Sequence, residues 1–208
     1  MRIAVVVAIP MGVGLAVLAG PIMALLYPGS HMAGAGLLRI MGAASFFVCV
    51  LLMENAILQA SGHERFTMLT LITGGLIKIV INFFLVARPE INIFGAPVGT
   101  LVSYVVMAVM DYIYLSFKLA RTPRLSRILL KPCFAALIMD AAAWAVYGLL
   151  SRALGPGRMS LLLALGAAIF IAVAIYLALT VLTRMITRED MAMIPGGEKL
   201  AKLLHMHE

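Results

Sequence analysis

Residues 159–183 read MSLLLALGAAIFIAVAIYLALTVLT, a stretch without a single charged side chain. A helix needs about 20 mostly apolar residues to cross the hydrocarbon core of a bilayer. Five other stretches reach that length, and none shows the strict alternation of a barrel strand. The sequence therefore predicts an all-α, polytopic membrane helix bundle. Its six transmembrane helices are expected at residues 3–27, 40–60, 66–87, 93–117, 132–151 and 159–183.

The composition excludes a soluble domain, since 63% of the 208 residues are hydrophobic, 12% are charged, and the mean hydropathy is +1.08. The two cysteines form no paired motif, and no phosphate-binding glycine loop is present. The four histidines fall in loops or in the tail, so no serine gains a histidine and an acid at one depth. We expect no enzyme activity, no catalytic residues, no metal and no cofactor.

The charges predict the orientation. Cations concentrate on the side that holds the predicted termini, which the positive-inside rule assigns to the cytoplasm. That side carries Arg2, Arg65, Lys118, Arg121, Arg124, Arg127, Lys131, Arg184, Arg188, Lys199 and Lys202, and the other side carries Arg39, Arg88, Arg152 and Arg158. The net charge of +7 then reflects membrane topology and not a nucleic-acid partner. We expect a multi-pass protein of the cytoplasmic membrane.

Two segments are expected outside the hydrocarbon. Residues 1–183 form the predicted membrane domain, and residues 184–208 form an amphipathic cytoplasmic tail that ends in a short surface helix. The connector at residues 119–131 is basic and has no acid, so we expect it to lie on anionic membrane lipids. A signal peptide at residues 3–27 is less favoured, because the apolar run is too long.

Four charged side chains fall at membrane depth, where a charge needs a partner or a cavity. They are Glu54, Lys78, Asp111 and Asp140. Lys78 lies near the middle of its helix and leans toward the helix N-terminus, which is the level of the acids. An ion pair of Lys78 with Glu54 or Asp111 is one interpretation. A wet cavity around an unpaired Lys78, or acids that reach the interface alone, are the others.

Polar and small residues recur at helical spacing beside these charges. One stripe on the third helix contains Thr70, Gly74, Lys78 and Asn82. A second stripe on the fourth helix contains Gly95, Gly99, Ser103, Met107 and Asp111. Asn55 and Gln59 stack one turn apart on the second helix. The residues expected to line a substrate cavity are therefore Lys78, Asn82, Asn55 and Gln59.

Three motifs follow in a characteristic order. They are NAILQASG at 55–62, LIKIVIN at 76–82 and IFGAPVGT at 93–100, and the tail reads TREDMAMIPGGEK at 187–199. This order resembles the later helices of polysaccharide-biosynthesis flippases of the multidrug/oligosaccharidyl-lipid/polysaccharide (MOP) exporter superfamily. The stage V sporulation protein B and lipid II flippase group is the most similar branch.

The resemblance implies a fold and a function. The chain would hold the last four helices of the second lobe and the terminal helix pair of a MATE/MOP-like exporter, without the first lobe. Two such lobes move lipid-linked oligosaccharide or a peptidoglycan precursor across the cytoplasmic membrane by alternating access. Some relatives couple this to Na⁺ or H⁺ at a cation site that Asn82 and Thr100 would match, although Val86 stands where an acid would help. A truncated reading frame or an internal start at Met1 is then expected.

Two other functions stay open. A MATE-type drug/cation antiporter fragment would share the fold, and a non-transporting membrane scaffold subunit would account for the short length. The basic, Met-rich chain and the tail motif favour a lipid-linked sugar as the substrate.

Overall fold

A computed structural model of the chain describes residues 2–27, 31–118, 125–155, 157–183 and 185. These residues form α-helices and one 3-10 turn, with no strand among them. The helices are α1 (Arg2–Val17), α2 (Ala19–Leu26), α3 (His31–Ala60), α4 (Glu64–Val86), α5 (Gly95–Lys118), α6 (Leu125–Leu154) and α7 (Arg158–Leu182), and the 3-10 turn (Asn92–Phe94) precedes α5.

The helical membrane fold is confirmed. Five helices are long and apolar enough to cross a membrane, and α1 with α2 makes a sixth span if the bent pair counts as one. Large apolar side chains cover the outside of these helices, as lipid contact requires. Among the most exposed are Phe83, Phe170 and Leu182.

Two helices extend beyond the spans that the sequence predicted. Helix α3 begins at His31 and not at residue 40, and α6 begins at Leu125 and not at Pro132. The apolar run marks the part of a helix that sits in hydrocarbon, whereas backbone hydrogen bonds carry the helix further into polar residues. Residues 125–131 of the predicted connector therefore belong to α6. The rest of it, 119–124, and the predicted tail, 184–208 apart from Met185, lie outside the described residues.

The first predicted span is broken at Leu18, where α1 and α2 meet at 67°. Pro21 has no N–H to donate to the carbonyl of Val17, four residues earlier, and its ring disfavours a continuous helix there. The flanking bonds remain, from Leu18 N to Gly14 O and from Ile22 N to Leu18 O, at 3.0 Å each. Pro21 thus falls in the first turn of α2, where a missing N–H costs little.

The chain divides into two compact units. Unit 1 consists of Met1–Pro10 with Ser126–Glu208, and unit 2 consists of Met11–Leu125. In unit 2, α5 packs against both α3 and α4, and α2 packs against α3. Small residues let the helices of this unit approach closely: a Cβ at Gly42 on α3 would lie 2.7 Å from the carbonyl oxygen of Gly12.

In unit 1, a side-chain hydrogen bond replaces a backbone hydrogen bond that is absent from α1 because of a proline. Pro10 sits inside α1 and supplies no N–H for the carbonyl of Val6, four residues earlier. The buried Tyr176 of α7 donates its hydroxyl to that carbonyl at 2.6 Å. A backbone carbonyl without a partner is costly in hydrocarbon, so this bond lets α1 continue through a proline. The sequence contains the proline but does not indicate that Tyr176 is its partner.

Candidate functional site

The two polar stripes predicted from the sequence face each other across α4 and α5. Thr70 donates its hydroxyl to Asp111 at 2.8 Å. One turn further along α4, Gly74 lies so close to the side chain of Met107 that an added Cβ would collide with it. Near the C-terminal end of α4, Oδ1 of Asn82 lies equally close to Gly99 of α5. All three contacts fit one antiparallel register, in which each turn forward on α4 meets one turn back on α5. The stripes therefore form one continuous seam.

The buried end of this seam holds two acids. Asp111 is 0% exposed and Glu54, on α3, is 1% exposed. The Thr70 hydroxyl lies 2.8 Å from both Oδ1 of Asp111 and the carbonyl oxygen of Phe66, so its single proton is shared between two acceptors. Oδ2 of Asp111 and Oε2 of Glu54 have no hydrogen-bond partner. Helix α3, which carries Glu54, packs against α5, which carries Asp111. We call Glu54, Asp111 and Thr70 the acid pocket.

Lys78 does not pair with these acids. It is half-buried, and among the described residues no carboxylate forms an ion pair with it. Lys78 lies eight residues beyond Thr70 on α4, about 12 Å along the helix, which is beyond the reach of its side chain. The seam register places it at the level of the buried Ser103. Of the interpretations that the sequence left open, the ion pair with Glu54 or Asp111 is therefore not formed in the described structure.

Asn82 and Thr100 lie at the other end of the seam. Oδ1 of Asn82 is buried without a hydrogen-bond partner and faces Gly99, the residue before Thr100. The buried Thr100 donates its hydroxyl to the carbonyl oxygen of Ala96 at 2.9 Å, which leaves its oxygen lone pairs free to accept. The structure thus places Asn82 against the residue that precedes Thr100 in α5.

The other candidate residues have different surroundings. Asn55 is buried next to Glu54, and its Oδ1 has no hydrogen-bond partner. Gln59, one turn later, is exposed. Asp140 belongs to unit 1, where it is buried with neither carboxyl oxygen hydrogen-bonded. The expected set therefore divides between the seam, the acid pocket, an exposed helix end and a separate unit.

Two polar residues near the acid pocket escaped the sequence analysis. Thr67 is 4% exposed, and its hydroxyl makes no hydrogen bond. His63, which precedes the first residue of α4, has a buried Nδ1 that is also without a partner. Thr67 lies three residues before Thr70, at the second of the two spacings that keep residues on one helix face. A search for four-residue spacing alone passes over it.

Unit 1 also contains an apolar cavity of about 480 Å³, lined by α6 and α7 residues that include Phe134, Ile138 and Leu179. Lys131 stands beside it and donates to the carbonyl oxygen of Thr183 at 3.4 Å. The lining offers few polar atoms, so this cavity suits hydrocarbon and not a polar ligand. Within the described residues no group of three or more His, Cys, Asp or Glu side chains is placed to hold a metal ion.

Comparison with known proteins supports a membrane protein. The chain is 27% identical over 177 residues to the uncharacterized membrane protein YabM of Bacillus subtilis (strain 168). The aligned part covers 84% of this chain and 32% of that protein, so the chain spans about a third of the length of its relative. No family model matches the chain. The protein is a membrane protein with several apolar helices, and its similarity extends along most of its length.

Proposed function

We propose that this chain is part of a flippase that moves a lipid-linked oligosaccharide or peptidoglycan precursor across the cytoplasmic membrane. Three observations support the proposal. The order of motifs resembles MOP exporters, the fold is a helical membrane bundle, and a membrane relative is about three times as long as the aligned region. In this proposal the chain supplies part of the second lobe, and both predicted termini face the cytoplasm.

The observation that carries the proposal is the position of Lys78. A cation near the middle of a membrane helix is costly unless it meets water, an acid or an anionic ligand. The buried acids of unit 2, Glu54 and Asp111, lie at the level of Thr70, too far along α4 to pair with Lys78. Lys78 is half-buried on the same helix face as Asn82, at a point where α5 presents the small Ser103. An anionic diphosphate passing through a cavity would meet this cation without competition from a carboxylate.

The proposed transport mechanism depends on which parts of a lipid-linked sugar are polar or charged. Their diphosphate and sugars are the parts that cannot cross hydrocarbon unaided, while the lipid tail can stay in the bilayer. Two lobes that rock about a midplane cavity would expose that cavity to one leaflet and then to the other. Lys78 and Asn82 would contribute charge and hydrogen bonds to this cavity. Asn55 and Gln59 are further candidates, with Asn55 needing a rearrangement to leave its buried position.

The coupling ion would bind at Asn82 and Thr100. The buried, unpartnered Oδ1 of Asn82 and the lone pairs of Thr100 are oxygen ligands of the kind that Na⁺ accepts. Carbonyl and hydroxyl oxygens alone bind a monovalent cation weakly, so the first lobe of the proposed transporter would have to add further ligands. Anionic lipids of the cytoplasmic leaflet would contact the basic connector.

Flipping of a fluorescent lipid-linked saccharide in vesicles tests the proposal. We expect transport when this chain is combined with a first lobe from a MOP exporter, and none from the 208-residue chain alone. Lys78→Met should reduce the rate, whereas Lys118→Met, at the exposed end of α5, should leave it unchanged. Robust flipping by the chain alone would contradict the need for a first lobe. Antiport of a cationic drug without flipping would move the protein to the antiporter class.

A further inference from the structure

We propose that Glu54 and Asp111 form a proton-binding site, and that it exchanges protons with water through the end of unit 2 at which α4 begins. The proton comes from bulk water and returns to it, so no other reactant is needed. This inference concerns binding by the chain itself and does not rest on the proposed transport function. The acid pocket is separate from the Asn82 and Thr100 site, which lies about three turns further along α4.

The first argument is the burial of two carboxyls together. Glu54 and Asp111 come from different helices, α3 and α5, and both are nearly inaccessible to water. Each retains one oxygen without a hydrogen-bond partner, while Thr70 supplies the one hydroxyl donor in the described structure of the pocket. Two carboxylates in a low-dielectric interior repel each other and lack solvation. A proton removes one of these charges and turns an unpartnered carboxyl oxygen into a hydrogen-bond donor.

The second argument is independent of the acids and comes from Thr67. Threonines within helices usually donate to the carbonyl four residues earlier, as Thr73 does to Leu69 at 2.8 Å. The Thr67 hydroxyl does not, although it is buried on the same face of α4 as Thr70. That face packs against α5, which carries Asp111. The free hydroxyl therefore points into the interior one turn from the acid pocket.

His63 continues the row of polar residues formed by Thr70 and Thr67 toward the protein surface. It stands at the start of α4, half-exposed, with its ring edge-on to Tyr114 at 5.5 Å between centroids. Its buried Nδ1 makes no hydrogen bond. The positions 63, 67 and 70 follow one helix face, with steps of about 6 Å and 4.5 Å along the axis. An imidazole and two hydroxyls at such spacing, the second of them bonded to Asp111, can pass a proton with the help of intervening water.

The other ionisable groups near the pocket are few. On α5, Tyr114 lies one turn from Asp111 and stacks on Phe66 at 3.7 Å. On α4, Lys78 is two turns away, and Glu64 and Arg65 are exposed at the helix start. Helix α2, which packs on α3, has no charged residue. No cation in the described part of unit 2 therefore lies close enough to stabilise both carboxylates, which favours a proton as the neutralising ion.

Infrared difference spectroscopy of the full chain in lipid bilayers tests the site, because a protonated carboxyl has its own carbonyl stretch. We expect this band near neutral pH in the unmodified chain, and a shift of the band after transfer to D₂O. Glu54→Gln and Asp111→Asn should each remove or alter it. Glu64→Gln, at an exposed position on α4, is the matched control and should leave it unchanged. Because Asp140 in unit 1 is also a buried carboxyl, an Asp140→Asn variant separates its contribution. The band that remains in this variant is informative even if a pocket variant fails to fold.

The proposed proton path through His63 and Thr67 is tested by the rate at which the carboxyl band shifts after transfer to D₂O. Thr67→Val keeps the shape of the side chain and removes the hydroxyl, so we expect exchange about tenfold slower, equivalent to about 1.4 kcal/mol of barrier. Thr73→Val, whose hydroxyl is occupied by a backbone carbonyl, should exchange at the normal rate. Absence of a protonated carboxyl at neutral pH would overturn the proposal. So would loss of the band when Na⁺ replaces choline at constant pH, which would assign the pocket to sodium.

Discussion

At the scale of single residues, the bond between Tyr176 and Val6 shows how a proline is accommodated in a membrane helix. Proline at position 10 leaves one carbonyl of α1 without its usual donor, and a tyrosine from α7 supplies one. The cost of the proline is thus met by a residue 170 positions away in the chain. A sequence identifies the carbonyl that a proline orphans, since the offset is fixed, but it does not identify the distant donor.

This arrangement makes a quantitative prediction. Tyr176→Phe should lower the free energy of unfolding in detergent or bicelles by about 1 kcal/mol, because it deletes one hydrogen bond to a buried carbonyl. In a Pro10→Ala background the same substitution should cost distinctly less, since the new backbone N–H at position 10 can donate to Val6 from within the helix. A double-mutant cycle measures the difference. Equal losses in both backgrounds would show that the tyrosine acts through packing alone.

At the scale of elements, close helix contacts in unit 2 depend on where each glycine lies. A Cβ at Gly42 would meet the backbone of Gly12 and Ala16 at 2.7–2.9 Å, and backbone cannot rotate away. Gly75, on α4, has nothing within 4 Å. The same residue type therefore marks a helix crossing at one position and a free surface at the other.

We accordingly expect opposite effects from two identical substitutions. Gly42→Ala should destabilise the protein by about 1–3 kcal/mol, the usual cost of overpacking. Gly75→Ala should be neutral or stabilise it by up to about 1 kcal/mol, because alanine favours the helix. Thermal unfolding of both variants under one set of conditions gives the comparison. A Gly42→Ala variant as stable as Gly75→Ala would argue against the α1–α3 contact.

The sequence predicted which residues share a helix face, but not which residues of the neighbouring helix they contact. Helical spacing placed Thr70, Gly74, Lys78 and Asn82 on one face, and the structure sets that face against the predicted α5 stripe. Spacing does not give the register between two helices, so the ion pair of Lys78 with Asp111 was one of several interpretations. The structure instead pairs Asp111 with Thr70. Thr67 was missed because it lies three residues, and not four, before Thr70. That its hydroxyl makes no hydrogen bond depends on a rotamer, which no sequence pattern encodes.

At the scale of the whole molecule, the broken pair α1 and α2 decides the topology. If the pair crosses the membrane once, the chain has six spans and its termini share one side; if it is re-entrant, five spans separate them. The bias of the cations favours six spans with both termini in the cytoplasm. Reporters fused before Met1 and after Glu208 should therefore both report the cytoplasm. Activity of the two reporters on opposite faces would establish the re-entrant form.

The most direct measurement is the water accessibility of position 78, because a flippase cavity requires Lys78 to face water and not lipid. In a background with Cys49 and Cys133 changed to Ala, Lys78→Cys should react rapidly with a membrane-impermeant thiol reagent once the chain is assembled with a first lobe. Ile79→Cys, at a neighbouring position whose native side chain is 67% exposed on the outside of α4, should stay unreactive because it faces lipid. Reaction at position 78 from each face of the membrane in turn would match alternating access. Equal protection at positions 78 and 79 would contradict an aqueous path along α4.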